Sequence, residues 1–174
     1  MNGRAVNDRG AIEVAVNLLW CVTGRVGGSE EYLVRQLAGL GDVEAGASFR
    51  TTLYCPPAFA GAHPDLTSQR PTVLAPVDGE SRLLRIAAEH TWLARRSRSA
   101  DVVHHGGGTA PAVPGRRPPI VLTVPDLQYE TYPHYVAPSK LRYLRWAMPR
   151  SVARAAVVAV PSQYVRSTVI ERFG

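Results

Sequence analysis

Lysine is almost absent from this chain. Lys140 is the only one, so the formal charge of +6 rests on arginine. Arginine's planar fork suits bidentate contact with phosphate or carboxylate where several such side chains converge. Here they are scattered over RLLRIAAEHTWLARRSRS (82–99), SKLRYLRWAMPRSVAR (139–154) and shorter pieces. They read as solvated helix faces, or as a surface for an anionic membrane, a nucleotide or a nucleic acid. No zinc-finger or RRM motif is present, which removes nucleic acid from the expected partners. Cysteine is scarce too. Cys21 and Cys55 each close an apolar run and neither has a CxxC partner, so buried thiols are expected rather than a disulfide or a metal site. No apolar run reaches the roughly 18 residues of a membrane span, and the opening MNGRAVNDRGAIEVAV lacks the apolar stretch of a signal peptide. The expected location is cytoplasmic, with peripheral contact to a membrane open to the arginine-rich segments.

What is present suits one domain: 174 residues, 45% of them hydrophobic, suffice for a single sizeable core. Short apolar runs alternate with stretches of helical period. EVAVNLLW (13–20), TTLYC (51–55), TVLAP (72–76), DVVHHGGG (101–108, strand then turn), PIVLTV (119–124) and AVVAV (156–160) read as strands, the first nearly continuous as expected for a parallel strand covered on both faces and the last buried too. After the first, Leu33, Leu37 and Leu40 repeat at helical spacing, with Ser29 as cap and Gly41 as stop. PPAFAGAHPD (56–65) reads as a loop. From Ser81 to Arg98 a helix would gather Leu83, Ile86, Ala87, His90, Leu93 and Ala94 on one face. A basic helix fits from Pro138 to about Arg154, with a break or kink at Pro149. Ser162 caps a last helix that ends at Gly174. This succession predicts an α/β fold, a Rossmann-like doubly wound, mainly parallel sheet with helices on both faces.

Ligands of such a sheet collect beyond the carboxyl ends of its strands, and four segments fall there. GRVGGSEE (24–31) fits neither GK[ST] nor GxGxxG, yet Gly27 and Gly28 before a helix, with Glu30 in its first turn, allow a ligand close to the backbone. The same pattern is also that of a tight strand-to-helix turn. In HHGGGTAP (104–111), His104 and His105 point to opposite faces and cannot readily share a metal. One is expected in packing and the other nearer the edge. In TVPDLQYETYP (123–133), Asp126 either caps the following turn or accepts hydrogen bonds from a polyol, with Gln128 offering an amide and Tyr129, Tyr132 and Tyr135 flat faces. In PSQYVR (161–166), Ser162 caps a helix while Arg166, one turn on, can meet an anion.

Taken in order, GGSEEYLVRQLAGL, DVVHHGGGTAP, PIVLTVPDLQYETYP and SKLRYLRWAMPRSVARAAVVAVPSQYVRSTVIERFG resemble the N-terminal domain of family 4 glycosyltransferases. The likeness covers nearly the whole chain and is thinnest from 42 to 80. It implies a retaining, two-domain enzyme of the GT-B fold, of which residues 1–174 are one half. A sugar would move from a nucleotide-sugar donor, held largely by the C-terminal domain, to a sugar, lipid or small-molecule acceptor held largely by this one. On this resemblance Gly27 and Gly28 match the loop that approaches the donor phosphates and the acceptor. Asp126 matches the second residue of a His-Asp pair whose first is Pro125 here, so the histidine's role is absent or falls to Asp126 or His105. The donor half has no counterpart in these residues, so an isolated domain, inactive alone, is expected. No cofactor or metal is implied. The residues also leave open a non-catalytic α/β ligand-binding or interaction module.

Overall fold

The computed structural model describes residues 11–24, 27–44, 48–111 and 118–174; Arg25 and Val26 of the first glycine-containing loop, and the opening ten residues, lie outside them. Six strands form one sheet: β1 (Ile12–Asn17), β2 (Phe49–Cys55), β3 (Thr72–Leu74), β4 (Val102–His105), β5 (Ile120–Thr123) and β6 (Val157–Ala159). Their order is β3-β2-β1-β4-β5-β6 and every pairing is parallel. This is the doubly wound, Rossmann-like arrangement expected from the alternation of apolar runs and helical periods. The central strands are covered on both faces. β1 sends Val14 and Val16 into a cluster with Leu33 and Leu37 of α1 (Gly28–Glu44). Ala15 points the other way, toward Ala88 and Leu93. A third cluster joins β5 to α7 (Pro138–Arg154) and α8 (Gln163–Phe173) through Leu122, Met148, Val165 and Val169.

Several local expectations change. β1 ends at Asn17, and Leu18 to Trp20 turn away from the strand while remaining buried. α1 begins at Gly28, which places Ser29 inside its first turn rather than at the cap, and it runs past Gly41 to Glu44. A glycine inside a helix costs about 1 kcal/mol, less than the packing of Leu33 and Leu37 returns. The stretch read as a loop holds two short helices, α2 (Pro57–Ala62) and α3 (Pro64–Ser68). Each starts on a proline, whose missing N–H is no loss at a first helical position. α7 likewise starts on Pro138 and continues through Pro149 without a break.

The largest revision concerns the helix after β3. α4 (Arg82–Ala88) passes through a π-helical turn, Glu89–Leu93, into α5 (Ala94–Arg96). The wider turn moves the buried positions to Ala88, Glu89, Leu93 and Ser97, whereas Leu83 is 79% exposed and Ala87 is exposed as well. Cys21 and Cys55 are free and buried as expected. Burial pushes both thiols up, Cys55 to about 11.

Candidate functional site

The strand order reverses between β1 and β4, where an open α/β sheet forms a crevice beyond its carboxyl edge. The register places Asn17 opposite His105 on the last rung. Both are buried, as is Glu89, the first residue of the π turn.

Their hydrogen bonds fix one another. The Leu19 N–H can only donate, so the Asn17 atom facing it at 3.0 Å is the amide oxygen. The Asn17 amide nitrogen therefore donates to Nδ1 of His105 at 3.0 Å and also to the Glu89 carboxylate. His105 then carries its proton on Nε2, because Nδ1 is accepting. Burial raises Glu89 to about 7, with Arg85 and the Asn17 bond pulling the other way. A cavity of about 20 Å³, bordered by Glu89, Ser97, His105 and Ile120, has room for one water. Asn17 and Glu89 were not among the residues expected at the site. The only sequence signal for Asn17 is its interruption of the apolar run EVAVNLLW.

Around this buried trio lie the rim residues. Gly27 has φ +64°, and a Cβ added at Gly27 or Gly28 would meet nothing within 4 Å. The backbone at the start of α1 is thus open to close approach. Glu30 is not available beside it: its side chain is buried and bonded to Nε2 of His63 at 3.0 Å. Glu31 pairs with Arg35 at 2.7 Å. Two carboxylates in the first turn already complement the helix dipole, which suits a sugar hydroxyl at Gly28 better than a bare phosphate.

The loop after β4 behaves differently. A Cβ on Gly106 would lie 2.6 Å from Cδ2 of Leu33, and one on Gly107 would lie 2.5 Å from Cγ of Trp20. Those glycines make room for side chains of this chain. Trp20 is held there by its Nε1–H, which donates to the Asn17 carbonyl at 3.1 Å. His104 and His105 do point to opposite faces, but neither is free at the edge. His105 is 3% exposed. Nε2 of His104 is bonded to the Thr123 hydroxyl at 2.8 Å, and burial lowers its pKa.

Past β5, Asp126 is exposed at the carboxyl end of the sheet. Its Oδ1 accepts the Gln128 N–H at 2.9 Å, closing the turn that leads into α6 (Gln128–Thr131). The second carboxylate oxygen has no partner among the described residues. Gln128 is exposed beside it. Tyr129 is not: only 4% exposed, it belongs to the third core cluster and offers no flat face. Burial and then Glu130 push its hydroxyl up to about 12. The exposed aromatic faces are those of Tyr132 and Tyr135, grouped with His134. Past β6, the Ser162 hydroxyl accepts the Val165 N–H at 3.2 Å, and Arg166 is exposed one turn on. Gly27, Gly28, Asp126, Gln128, Ser162 and Arg166 are thus all exposed in segments that follow strands, whereas Glu30 and Tyr129 are buried.

This edge can offer carboxylate, amide and backbone N–H groups to a hydroxyl-rich ligand. Among the described residues, no group of His, Cys, Asp and Glu is placed to hold a metal ion, and no helix is long and apolar enough to cross a membrane. The sequence model described as Glycosyltransferase Family 4 matches residues 26–174. No match was found among curated proteins.

Proposed function

Since the chain belongs to Glycosyltransferase Family 4, we propose that it is the acceptor-side domain of a retaining enzyme of the GT-B fold. It transfers a sugar from a nucleotide-sugar donor to a glycan, lipid or small-molecule acceptor. The observation that carries this reading is Asp126: a carboxylate at the mouth of a buried parallel strand, with one oxygen tied to the Gln128 N–H and the other unclaimed by the described residues. A carboxylate so fixed orients an acceptor hydroxyl, whose oxygen bonds to the anomeric carbon as the bond to the diphosphate breaks, its proton passing to the departing diphosphate. Gly27 and Gly28 let donor and acceptor come close to the start of α1. His105 acts from behind as a positioning residue, its tautomer set by Asn17. His104 supports β5 through Thr123. Ser162 and Arg166 border the far end of the crevice.

In this reading the donor is held mainly by a second domain beyond these residues, and this chain alone binds ligands without transferring sugar. Transfer is assayed on the polypeptide that carries both halves, as acceptor-dependent release of nucleoside diphosphate. Asp126→Asn keeps the turn and should slow release about 100-fold. A protein that never consumes a nucleotide sugar overturns the proposal in favour of a non-catalytic binding module, the reading that Pro125 at the usual histidine position favours. Calorimetry of this chain alone tests the loop: micromolar donor binding unaffected by Gly28→Arg would put the donor site elsewhere.

Peripheral membrane contact belongs to the same reading. α7 carries five basic residues and no acid, and Trp146 is exposed on it. Salt-sensitive sedimentation with anionic liposomes is the expected result; no sedimentation removes the membrane from the proposal.

A further inference from the structure

Beside the crevice lies a groove that the transfer reading does not use. It is lined by Arg82 and Leu83 from the first turn of α4, and by Ser139, Arg142, Tyr143 and Trp146 from α7, and encloses about 610 Å³. That volume falls in the range of small-molecule sites. One wall reaches the crevice, since the Tyr143 hydroxyl lies 3.5 Å from that of Thr109, in the loop after β4.

The charge around this groove is one-sided. The segments 82–99 and 138–154 hold ten of the chain's twenty basic residues and one of its fourteen acids, the buried Glu89. The remainder of the chain carries more acids than bases. Neither Arg82 nor Arg142 has a carboxylate partner among the described residues. The Tyr143 hydroxyl feels the buried Glu89 first and then, in the opposite sense, Arg85 and Arg82. α7 has no acid in its first turn and no side-chain cap, so its dipole adds to the positive potential where Ser139 stands. The apolar part of the lining is just as unusual for a surface: Leu83 and Trp146 are both exposed. Arg150 stacks over the indole, 4.8 Å from its centre, which holds the ring in place.

Two guanidinium groups beside an aliphatic side chain, an indole and a phenol match a ligand of mixed character. We propose that this groove binds a phosphate or carboxylate group attached to an apolar or aromatic body, with the anion between Arg82 and Arg142 and the body over Leu83 and Trp146. The proposal rests on the acceptor-side reading only in identifying that molecule as the acceptor, whose anionic group would anchor it while its hydroxyl reaches the crevice.

The probes are phenyl phosphate, inorganic phosphate and vesicles of phosphatidylcholine with or without phosphatidylglycerol, each titrated into this chain without any sugar donor. Phenyl phosphate should bind more tightly than inorganic phosphate, change the tryptophan emission in a way that Trp146→Phe abolishes, and lose about tenfold or more in affinity in the Arg82→Ala/Arg142→Ala variant. Binding of phosphatidylglycerol vesicles, lost in the same variant, with no response to phenyl phosphate, supports the groove and assigns the anion to a lipid headgroup. All the substituted side chains stand at the surface, and the circular dichroism spectrum and melting temperature of each variant check its fold. Binding unaffected by the double variant, or no binding of either probe, overturns the proposal. Failure of the transfer assay with phenyl phosphate still bound would leave the groove standing and remove the acceptor assignment. Transfer with an acceptor KM unchanged in the double variant would remove the acceptor assignment while leaving the transfer reading intact.

Discussion

The two glycine-rich loops that flank the crevice look alike in the sequence and do opposite work. After β1, Gly27 and Gly28 face open space; after β4, Gly106 and Gly107 are pressed against Leu33 and Trp20. Both pairs are glycine because a Cβ is excluded or unwanted, but the excluding body differs. In the second loop it is the protein's own core, and the fold accounts for the residue type. In the first, no described residue crowds Gly28, and the proposed function accounts for this glycine by the approach of a ligand. The difference teaches that a glycine run after a strand carries functional meaning only once its neighbours are known. Beneath the crowded loop lies the buried trio of Glu89, Asn17 and His105; beneath the open one, Glu30 is already taken by His63.

Substitutions can sharpen or break this contrast, and the largest effect belongs to the crowded side. The folded pKa of Glu89, about 7, stands above its ordinary 4.5, so between those values the folded state holds a proton that the unfolded state has lost. Stability therefore falls as pH rises through that window and levels off above it, by up to about 3 kcal/mol. Glu89→Gln should remove this fall and leave the opposite, rising contribution of His104, whose pKa burial lowers; urea denaturation at about pH 5 and about pH 8 measures the difference between the two proteins. Equal slopes in the two proteins would mean that Glu89 is not buried against Asn17.

Next in size, Gly107→Ala drives a methyl into a ring held by hydrogen bonding and should cost about 2 kcal/mol by thermal or chemical denaturation. Gly106→Ala meets only the movable end of Leu33 and should cost about 1 kcal/mol. Gly27→Ala is strained by its positive φ alone, again about 1 kcal/mol. Gly28→Ala has neither clash nor positive φ and should leave stability within about 0.5 kcal/mol, while weakening ligand binding measured by calorimetry. A Gly28→Ala protein that is well folded and binds unchanged would erase the distinction between the loops.

Much of this architecture was legible beforehand. Apolar runs such as PIVLTV announced parallel strands, and their alternation with helical periods announced the doubly wound sheet, because burial on both faces leaves that mark in composition. Asp126 was also legible as a turn cap beyond a strand. The buried trio was not. Glu89 reads as one more charge on a basic helix, although it stands one turn before the buried Leu93, and the π turn, invisible to a 3.6-residue period, leaves Leu83 outside. Tyr129 shares its segment with the exposed Tyr132, and no local pattern separates the ring that fills the core from the ring at the surface. The helices at 57–68 were hidden by prolines that break a helix in its interior but start one at its first turn.

The free thiols have a practical consequence. Cys21 and Cys55 belong to one cluster, between β1, β2 and α1, and the third cluster, around β5, α7 and α8, holds no cysteine. An alkylating reagent therefore reads the opening of one half of the molecule and is blind to the other. Timed labelling followed by mass spectrometry would show whether the α1 layer lifts from the sheet before the rest of the structure gives way.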